Sequence, residues 1–416
     1  MKTSDSSDSS IPARVRRYET MAYGLFLHWG LYSVQAEGEW YRHHHEIPQD
    51  EYSKLMERFT AEGFDAVALA DFAVSAGFRY VCLTTRHHDG FSLYDTRGLN
   101  KYDAPHSPAG RDLVAEFVEA CGARGLGIFF YHTTLDWWDP RFDADWDGYQ
   151  QYLRDSLRIL CTEYGKIDGL WFDGNWSRRD RDWQENALYG MIRELQPEAI
   201  LINNSSIGNR GAVGHSMLDA VTFEQGLPAR EAPGGRYVAK EMCETFNSHW
   251  GYAAKDYSLK GPARLIQTLA SCRGAGANLL LNVGPLADGS LPAYEQAALH
   301  VVGEWIRSCA PCLYDGRPVD AVCRGRDFVL DDGEHLYAFV HDVPIRNNMH
   351  LSGAERGDGL QTAEGKLPEI RRVSWVDNGE TLDYWQDGTK DMLAFRATPN
   401  PYGSQRVVRV ARMERA

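Results

Sequence analysis

Short apolar runs recur along the first three quarters of the chain, and each gives way to a polar loop. Tyr23-Gly24-Leu25-Phe26-Leu27 is the first and leads into His28-Trp29-Gly30. Further runs occupy 79–84, 126–131, 169–173 and 199–203. Ala220-Val221-Thr222, the segment around Glu241-Met242-Cys243, and 277–283 bring the count to eight. Most are separated by stretches with apolar residues at helical spacing. In 61–77 these are Phe64, Val67, Ala68, Phe72 and Ala76, and the stretch ends on glycine, as helices do. Similar patterns predict helices over 111–124, 146–163, 183–195, 264–274 and 292–308.

Continuous apolar strands buried on both faces imply a parallel sheet. Eight such units in about 300 residues fit a (β/α)8 TIM-like barrel better than a doubly wound sheet. No glycine-rich dinucleotide or phosphate loop follows any of the strands, which also weighs against a Rossmann arrangement. After about Tyr314 the texture changes to short alternating runs at 328–330, 336–340, 370–376, 382–385, 392–395 and 407–410. Turn pairs such as Asp332-Gly333 and Asp387-Gly388 separate them, which predicts a small antiparallel β-sandwich. The expected organisation is a disordered polar tail over 1–17, a barrel over 18–314 and a C-terminal β domain over 315–416.

Composition narrows the function classes. A net charge of −14 argues against a nucleic-acid partner, since a phosphate backbone needs clustered Lys and Arg. The Ser/Asp-rich start lacks the apolar core of a secretory signal, and no run reaches membrane-span length. A soluble, cytoplasmic protein with no membrane partner is expected. Cys82, Cys121, Cys161 and Cys272 sit in apolar runs, as buried thiols do in a reducing compartment. Cys309 and Cys312 form one CxxC without a second pair, which is read as coincidence. The 12 Trp and 21 Tyr are a rich aromatic share, suited to sugar faces or simply to core.

In a barrel, strand C-terminal ends share one face. Read in order, those ends carry His28, then His87 and His88, then Tyr131, then Trp171 and Asp173, then Glu224 and Glu241. A strand-end Asp usually caps a loop, and a single His or Trp is usually structural. Their convergence at successive strand ends favours a sugar site instead. There His and Glu bond hydroxyls, aromatic rings cover the apolar face, and two carboxylates do acid/base and nucleophilic work. Two other classes stay open from these residues. One is a metal-dependent barrel hydrolase built on the histidines, although no HExxH spacing occurs. The other is a catalytically silent sugar-binding protein.

The segment YGLFLHWGLYS with GEWY after it resembles the opening of glycoside hydrolase family 29, the α-L-fucosidases. RYVCLTTRHHDGFSLYDT, FFYHTTLDWW, IDGLWFDGNW, CETFNSHWGY and NLLLNVGPLADGSLP resemble that family too, from about Ala22 to Cys312. The resemblance implies a retaining exo-α-L-fucosidase acting on a small or oligosaccharide fucoside, with no cofactor and no metal. It implies that Asp173 is the nucleophile and that His28, Glu39, Trp40, His87, His88, Tyr131 and Trp171 bind the sugar. It implies a Glu as general acid/base, with Glu224 in Thr222-Phe223-Glu224-Gln225 favoured over Glu241. The sequence departs from the family pattern at three places. Ser205 stands where an Arg is usual, with Arg210 a possible substitute; Lys240 replaces an aromatic residue; and the triplet His43-His44-His45 is extra. The oligomeric state is left open, a homo-oligomer included.

Overall fold

The computed structural model describes residues 11–205, 210–229, 236–341, 343, 359–401, 404 and 406–416. Eight strands close into a parallel barrel in chain order. They are β1 (Tyr23–Leu27), β2 (Tyr80–Arg86), β3 (Gly127–Thr133), β4 (Gly169–Asp173), β5 (Ile200–Asn203), β6 (Ala220–Thr222), β7 (Ala239–Thr245) and β8 (Asn278–Val283). Closure is made by β1 lying beside β8, from Tyr23 opposite Leu279 to Leu27 opposite Val283. The strands are almost wholly buried, as their unbroken apolar runs require.

Strand alternation fills the barrel interior. Phe26, Tyr80, Cys82, Phe129, Tyr131, Trp171, Ile200, Ile202, Ala220, Ala239, Cys243 and Leu280 form one buried cluster. Large rings from β1 to β4 face small or branched side chains from β5 to β8, so the barrel is a packed core and not a channel. Each position two residues further along β1, β3 and β4 then reaches the C-terminal rim, where His28, Thr133 and Asp173 stand. Helices between the strands begin where a side chain can satisfy the free amides. Asp65, Asp112 and Asp145 each accept a hydrogen bond from the amide three residues on. Helix Ala66–Ser75 is shorter than the apolar spacing predicts because Asp65 caps it.

The expected tail is helical from Ala13 onward. Helix Ala13–Met21 turns Val15 and Tyr18 into the core, with Tyr18 fully buried. Its carbonyl at Tyr18 accepts from Asn278 Nδ2 at 2.7 Å, which ties the helix to the start of β8. Residues 1–10 of that stretch lie outside the described residues. No helix among the described residues is long and apolar enough to cross a membrane.

The chain divides into two compact units. One runs to Lys260 and includes Asn278–Ala297, and so holds all eight barrel strands; the other holds Gly261–Ala277 and Ala298–Ala416. Helix Pro262–Gly274 and most of helix Ala293–Cys309 therefore cluster with the C-terminal unit. Their polar ties lie there: Arg273 donates to the carbonyls of Leu313 and Gly316, and Trp305 Nε1 donates to Val408 O at 2.7 Å. Within that unit two antiparallel sheets, of four and five strands, share one apolar core. Leu393, Phe395 and Ala363 from one sheet pack with Val329, Val373, Trp375 and Met413 from the other. Strands Arg317–Pro318, Val322–Cys323 and Leu360–Glu364 were not anticipated, because two are only two residues long and LQTAE has only Leu360 and Ala363 among polar residues.

Candidate active site

Asp173 is the last residue of β4. Its backbone is fixed first: Asp173 O accepts from Thr134 N at 2.7 Å and from Thr134 Oγ1 at 2.9 Å. Gly174 then turns the chain with φ +114°, and a Cβ there would lie 2.5 Å from Leu135 N. Only glycine permits that turn and that approach. The carboxylate Oδ1 accepts from Trp176 Nε1 at 2.8 Å and faces Asn204 Nδ2 at 3.5 Å. Oδ2 accepts from Tyr131 OH at 3.1 Å and lies 3.5 Å from His88 Nε2.

Glu224 lies just past the end of β6. Its Oε2 accepts from Asn204 Nδ2 at 2.7 Å, so one amide nitrogen stands between the two carboxylates. Thr222 Oγ1 donates to Asn204 Oδ1 at 2.9 Å and sets which way that amide faces. Burial raises the Asp173 carboxyl to about 7, with the Glu224 charge adding to the push; Trp176, Tyr131 and the Gly174 amide pull it back. Burial also raises Glu224, against the Asn204 hydrogen bond and the nearby positive charge of Arg210. Arg210 thus bears on this carboxylate from a position five residues beyond Ser205.

The three histidines pack together beside Asp173. His28 Nδ1 lies 2.6 Å from Asn282 Oδ1, and Asn282 Nδ2 donates to Trp250 O at 2.7 Å. That orientation of the amide makes His28 Nδ1 the donor and leaves Nε2 as an acceptor. His88 Nδ1 is likewise held at 2.6 Å by Thr133 Oγ1, whose proton goes to Leu135 O at 2.5 Å. Its Nε2 is also an acceptor. His87 stacks on Tyr131 with ring centres 5.5 Å apart, and its buried Nδ1 has no hydrogen-bond partner among the described residues. Burial lowers His28 and His88 to about 3 and holds His87 well below its ordinary value. All three are neutral imidazoles at physiological pH, suited to exchanging hydrogen bonds with hydroxyls.

Glu39 reaches the same region from the loop after β1. Its Oε2 accepts from the amides of Trp250 at 3.1 Å and Gly251 at 2.8 Å. Burial raises it, while those amides and the charge of His249 oppose the shift. Trp40 is half-buried and meets His88 edge-on with centres 5.6 Å apart. Trp171 stacks on Tyr131 at 5.6 Å and meets Phe26 edge-on at 5.2 Å.

Glu241 does not stand with the other strand-end residues. It is the third residue of β7, paired with Asn278 at the beginning of β8, and its side chain points into the lower barrel. There Tyr18 OH donates to its Oε2, Tyr80 OH donates to the same oxygen at 2.8 Å, and Trp171 Nε1 donates to Oε1 at 2.8 Å. Alternation along β7 puts Ala239, Glu241 and Cys243 on the interior, so this carboxylate sits below Trp171 and not across from Asp173. Asn204, Trp176, Trp250 and Asn282 were not foreseen as site residues. Each lies inside or beside a motif noted in the sequence, but the roles of Asn204, Trp250 and Asn282 depend on partners far along the chain, and Trp176 reaches Asp173 only through the turn at Gly174. Among the described residues, no group of three or more His, Cys, Asp or Glu side chains converges as a metal site would.

A closed parallel barrel with a buried carboxylate pair beside aromatic and imidazole side chains at its C-terminal rim is the arrangement of a glycoside hydrolase. The family described as alpha-L-fucosidase matches residues 2–310, and the chain belongs to that family. It is similar to the alpha-L-fucosidase isoenzyme 1 of Paenibacillus thiaminolyticus, with 30% identity and a TM-score of 0.82, covering 97% of this chain and 98% of that one. It is also similar to the tissue alpha-L-fucosidase of Mus musculus, 27% identical over 329 residues, which covers 72% of this chain and 71% of the relative. A bacterial fucosidase solved with an iminocyclitol inhibitor has the same fold, with a TM-score of 0.83 at 22% identity over 97% of this chain and 96% of that one.

Proposed function

We propose that the protein hydrolyses terminal α-L-fucosides with retention of anomeric configuration. The observation that supports this most is the Asp173–Asn204–Glu224 arrangement. The facing carboxylate oxygens lie on one amide nitrogen, at 3.5 and 2.7 Å. They are therefore nearer to each other than the roughly 6.5–9.5 Å of an inverting pair, which must leave room for a water.

In the first step an Asp173 oxygen bonds to the anomeric carbon as the glycosidic C–O bond breaks, and Glu224 gives its proton to the departing oxygen. In the second, Glu224 takes a proton from water, whose oxygen displaces Asp173 from the sugar. The donors divide these roles. Asp173 receives hydrogen bonds from Trp176 and Tyr131, which favour its ionised form, whereas Glu224 receives one, from Asn204. His28, His87, His88 and Glu39 would bind the hydroxyls, and Trp40, Trp171 and Tyr131 the apolar face. Glu241 is read as support: its oxygens are already engaged by three donors, and it lacks a route to the leaving group.

Two measurements test this reading. Proton NMR of early product should show the α-anomer of fucose forming first, and initial β-anomer would sink the retaining mechanism. Asp173→Asn should lower kcat by at least about a thousandfold on an aryl fucoside. Full activity in that variant would remove Asp173 from the nucleophile's role.

A further inference from the structure

Asn204 and Thr222 make and break no bonds in the chemistry above, yet they decide what lies between the two carboxylates. Both are buried. Strand register brings them there. Phe172 on β4 pairs with Asn203 on β5, and Ile202 on β5 pairs with Ala220 on β6. One step beyond the first pair and two beyond the second, Asp173, Asn204 and Thr222 follow at a common level. The Asn204 amide donates to Phe172 O at 2.8 Å, which fixes its backbone against β4. Glu224, two residues past Thr222, projects from the same side of the chain. The amides of Phe223 and Gln225 hold that stretch against β7, donating to Glu241 O at 2.8 Å and Cys243 O at 2.9 Å.

A carboxylic acid and a carboxylate this close ordinarily share their proton directly, as carboxyl dyads do. Sharing would engage an Asp173 oxygen and draw the proton away from the leaving group. The Asn204 side-chain nitrogen prevents it, because it carries two hydrogens and accepts none. One hydrogen goes to Glu224 Oε2 at 2.7 Å, and the other faces Asp173 Oδ1 at 3.5 Å. Asp173 Oδ1 also accepts from Trp176 Nε1 at 2.8 Å. Both facing oxygens thus meet donors, which leaves Oε1 of Glu224 as the seat of the proton. The opposite amide orientation would set Asn204 Oδ1 between the carboxylates, repelling Asp173 and drawing the Glu224 proton inward. Thr222 Oγ1, donating to that Oδ1 at 2.9 Å, keeps it turned away.

We propose that Asn204, oriented by Thr222, is a positioning residue that confines the proton to Oε1 of Glu224 and keeps it from Asp173. The inference rests on the fucosidase reading and deepens it by assigning the atom that protonates the leaving group. The proton passes from Oε1 to the departing oxygen as the C–O electron pair moves onto that oxygen. When water attacks the fucosyl-enzyme, one of its protons returns to the same Oε1.

The test compares phenyl α-L-fucoside, whose leaving group needs the proton, with 2,4-dinitrophenyl α-L-fucoside, whose leaving group departs without it. In Asn204→Ala the Glu224 carboxyl loses a donor to its charged form. The alkaline limb of kcat/KM should therefore move up by about one pH unit or more. The loss in kcat/KM should be at least about tenfold greater for the phenyl than for the dinitrophenyl fucoside. Thr222→Val, which keeps the shape and removes the hydroxyl, should move both readouts the same way, and Thr222→Ser should restore them. The Thr222 pair decides the question alone if Asn204→Ala does not fold. An unmoved alkaline limb, equal losses on the two substrates, or Thr222→Ser matching Thr222→Val overturns this assignment and leaves the fucosidase reading standing. Wild-type protein inert towards both fucosides overturns the fucosidase reading itself, and this inference with it.

Discussion

Two buried carboxylates that share one neighbouring amide cannot both ionise freely. The push that brings Asp173 to about 7 includes the charge of Glu224. While Glu224 keeps its proton, that part of the push is absent, and Asp173 ionises first with the help of its donors. The pair therefore holds one proton until near neutrality. On an aryl fucoside, kcat/KM should rise from acid pH as Asp173 ionises and fall at higher pH as Glu224, raised by burial, gives up its proton. Glu224→Gln should abolish the alkaline limb, and an unchanged bell in that variant would contradict the assignment. The same shift affects stability. The folded-state carboxyl titrates above an unfolded Asp, so ionisation costs the native state above that range, and the cost disappears as pH falls towards about 4. Asp173→Asn should raise Tm at pH 8, with the gain shrinking towards pH 4. Asp173 was legible in the sequence because an apolar strand ends on it and Gly174 follows. Asn204 was not, since its importance comes from two carboxylates 31 and 20 residues away.

At the level of elements, strands were easier to read than what caps them. Apolar runs located the barrel strands because burial on both faces favours them, although β7 carries Lys240, Glu241 and Glu244 and was marked only by its Met242-Cys243 centre. Helix Ala13–Met21 escaped because it contributes few buried side chains, Val15 and Tyr18 among them, behind a polar run. That helix explains why a glutamate can sit inside the barrel. Glu241 links it to β2 and β4 through Tyr18, Tyr80 and Trp171, and its level in β7 could not be known without the register. Glu241→Ala would leave two buried hydroxyls and an indole NH without their acceptor, at about 1–3 kcal/mol each. Its Tm should fall by far more than that of Glu241→Gln, which keeps an acceptor for Trp171. A Glu241→Ala protein as stable as wild type would contradict this supporting role. Gly174→Ala should also be severe, because the new Cβ would meet Leu135 N at 2.5 Å and displace the β4 end that carries Asp173.

Across the whole molecule, the alternation of strand and helix announced a barrel, and the later period-two pattern announced a sandwich. The division between the two units was not legible. Helix Pro262–Gly274 has the spacing of any barrel helix; Arg273 reaching Leu313 and Gly316, and Gly274 lying against Phe328, reveal its allegiance. The site itself draws on all eight strand ends or their following loops, which is how a barrel gathers residues distant in sequence. Because the described residues do not converge as a metal site, activity should survive dialysis against a chelator. Loss restored by a divalent cation would require a different chemistry.

The central claim is that Asp173 becomes covalently attached to the sugar. Incubation with 2-deoxy-2-fluoro-α-L-fucosyl fluoride, followed by intact-protein and peptide mass spectrometry, tests it most directly. One added fluorofucosyl group per chain is expected, on the peptide containing Asp173, and none in Asp173→Asn. A label on Glu224 or Glu241, or turnover of the reagent with inversion and no adduct, would contradict it.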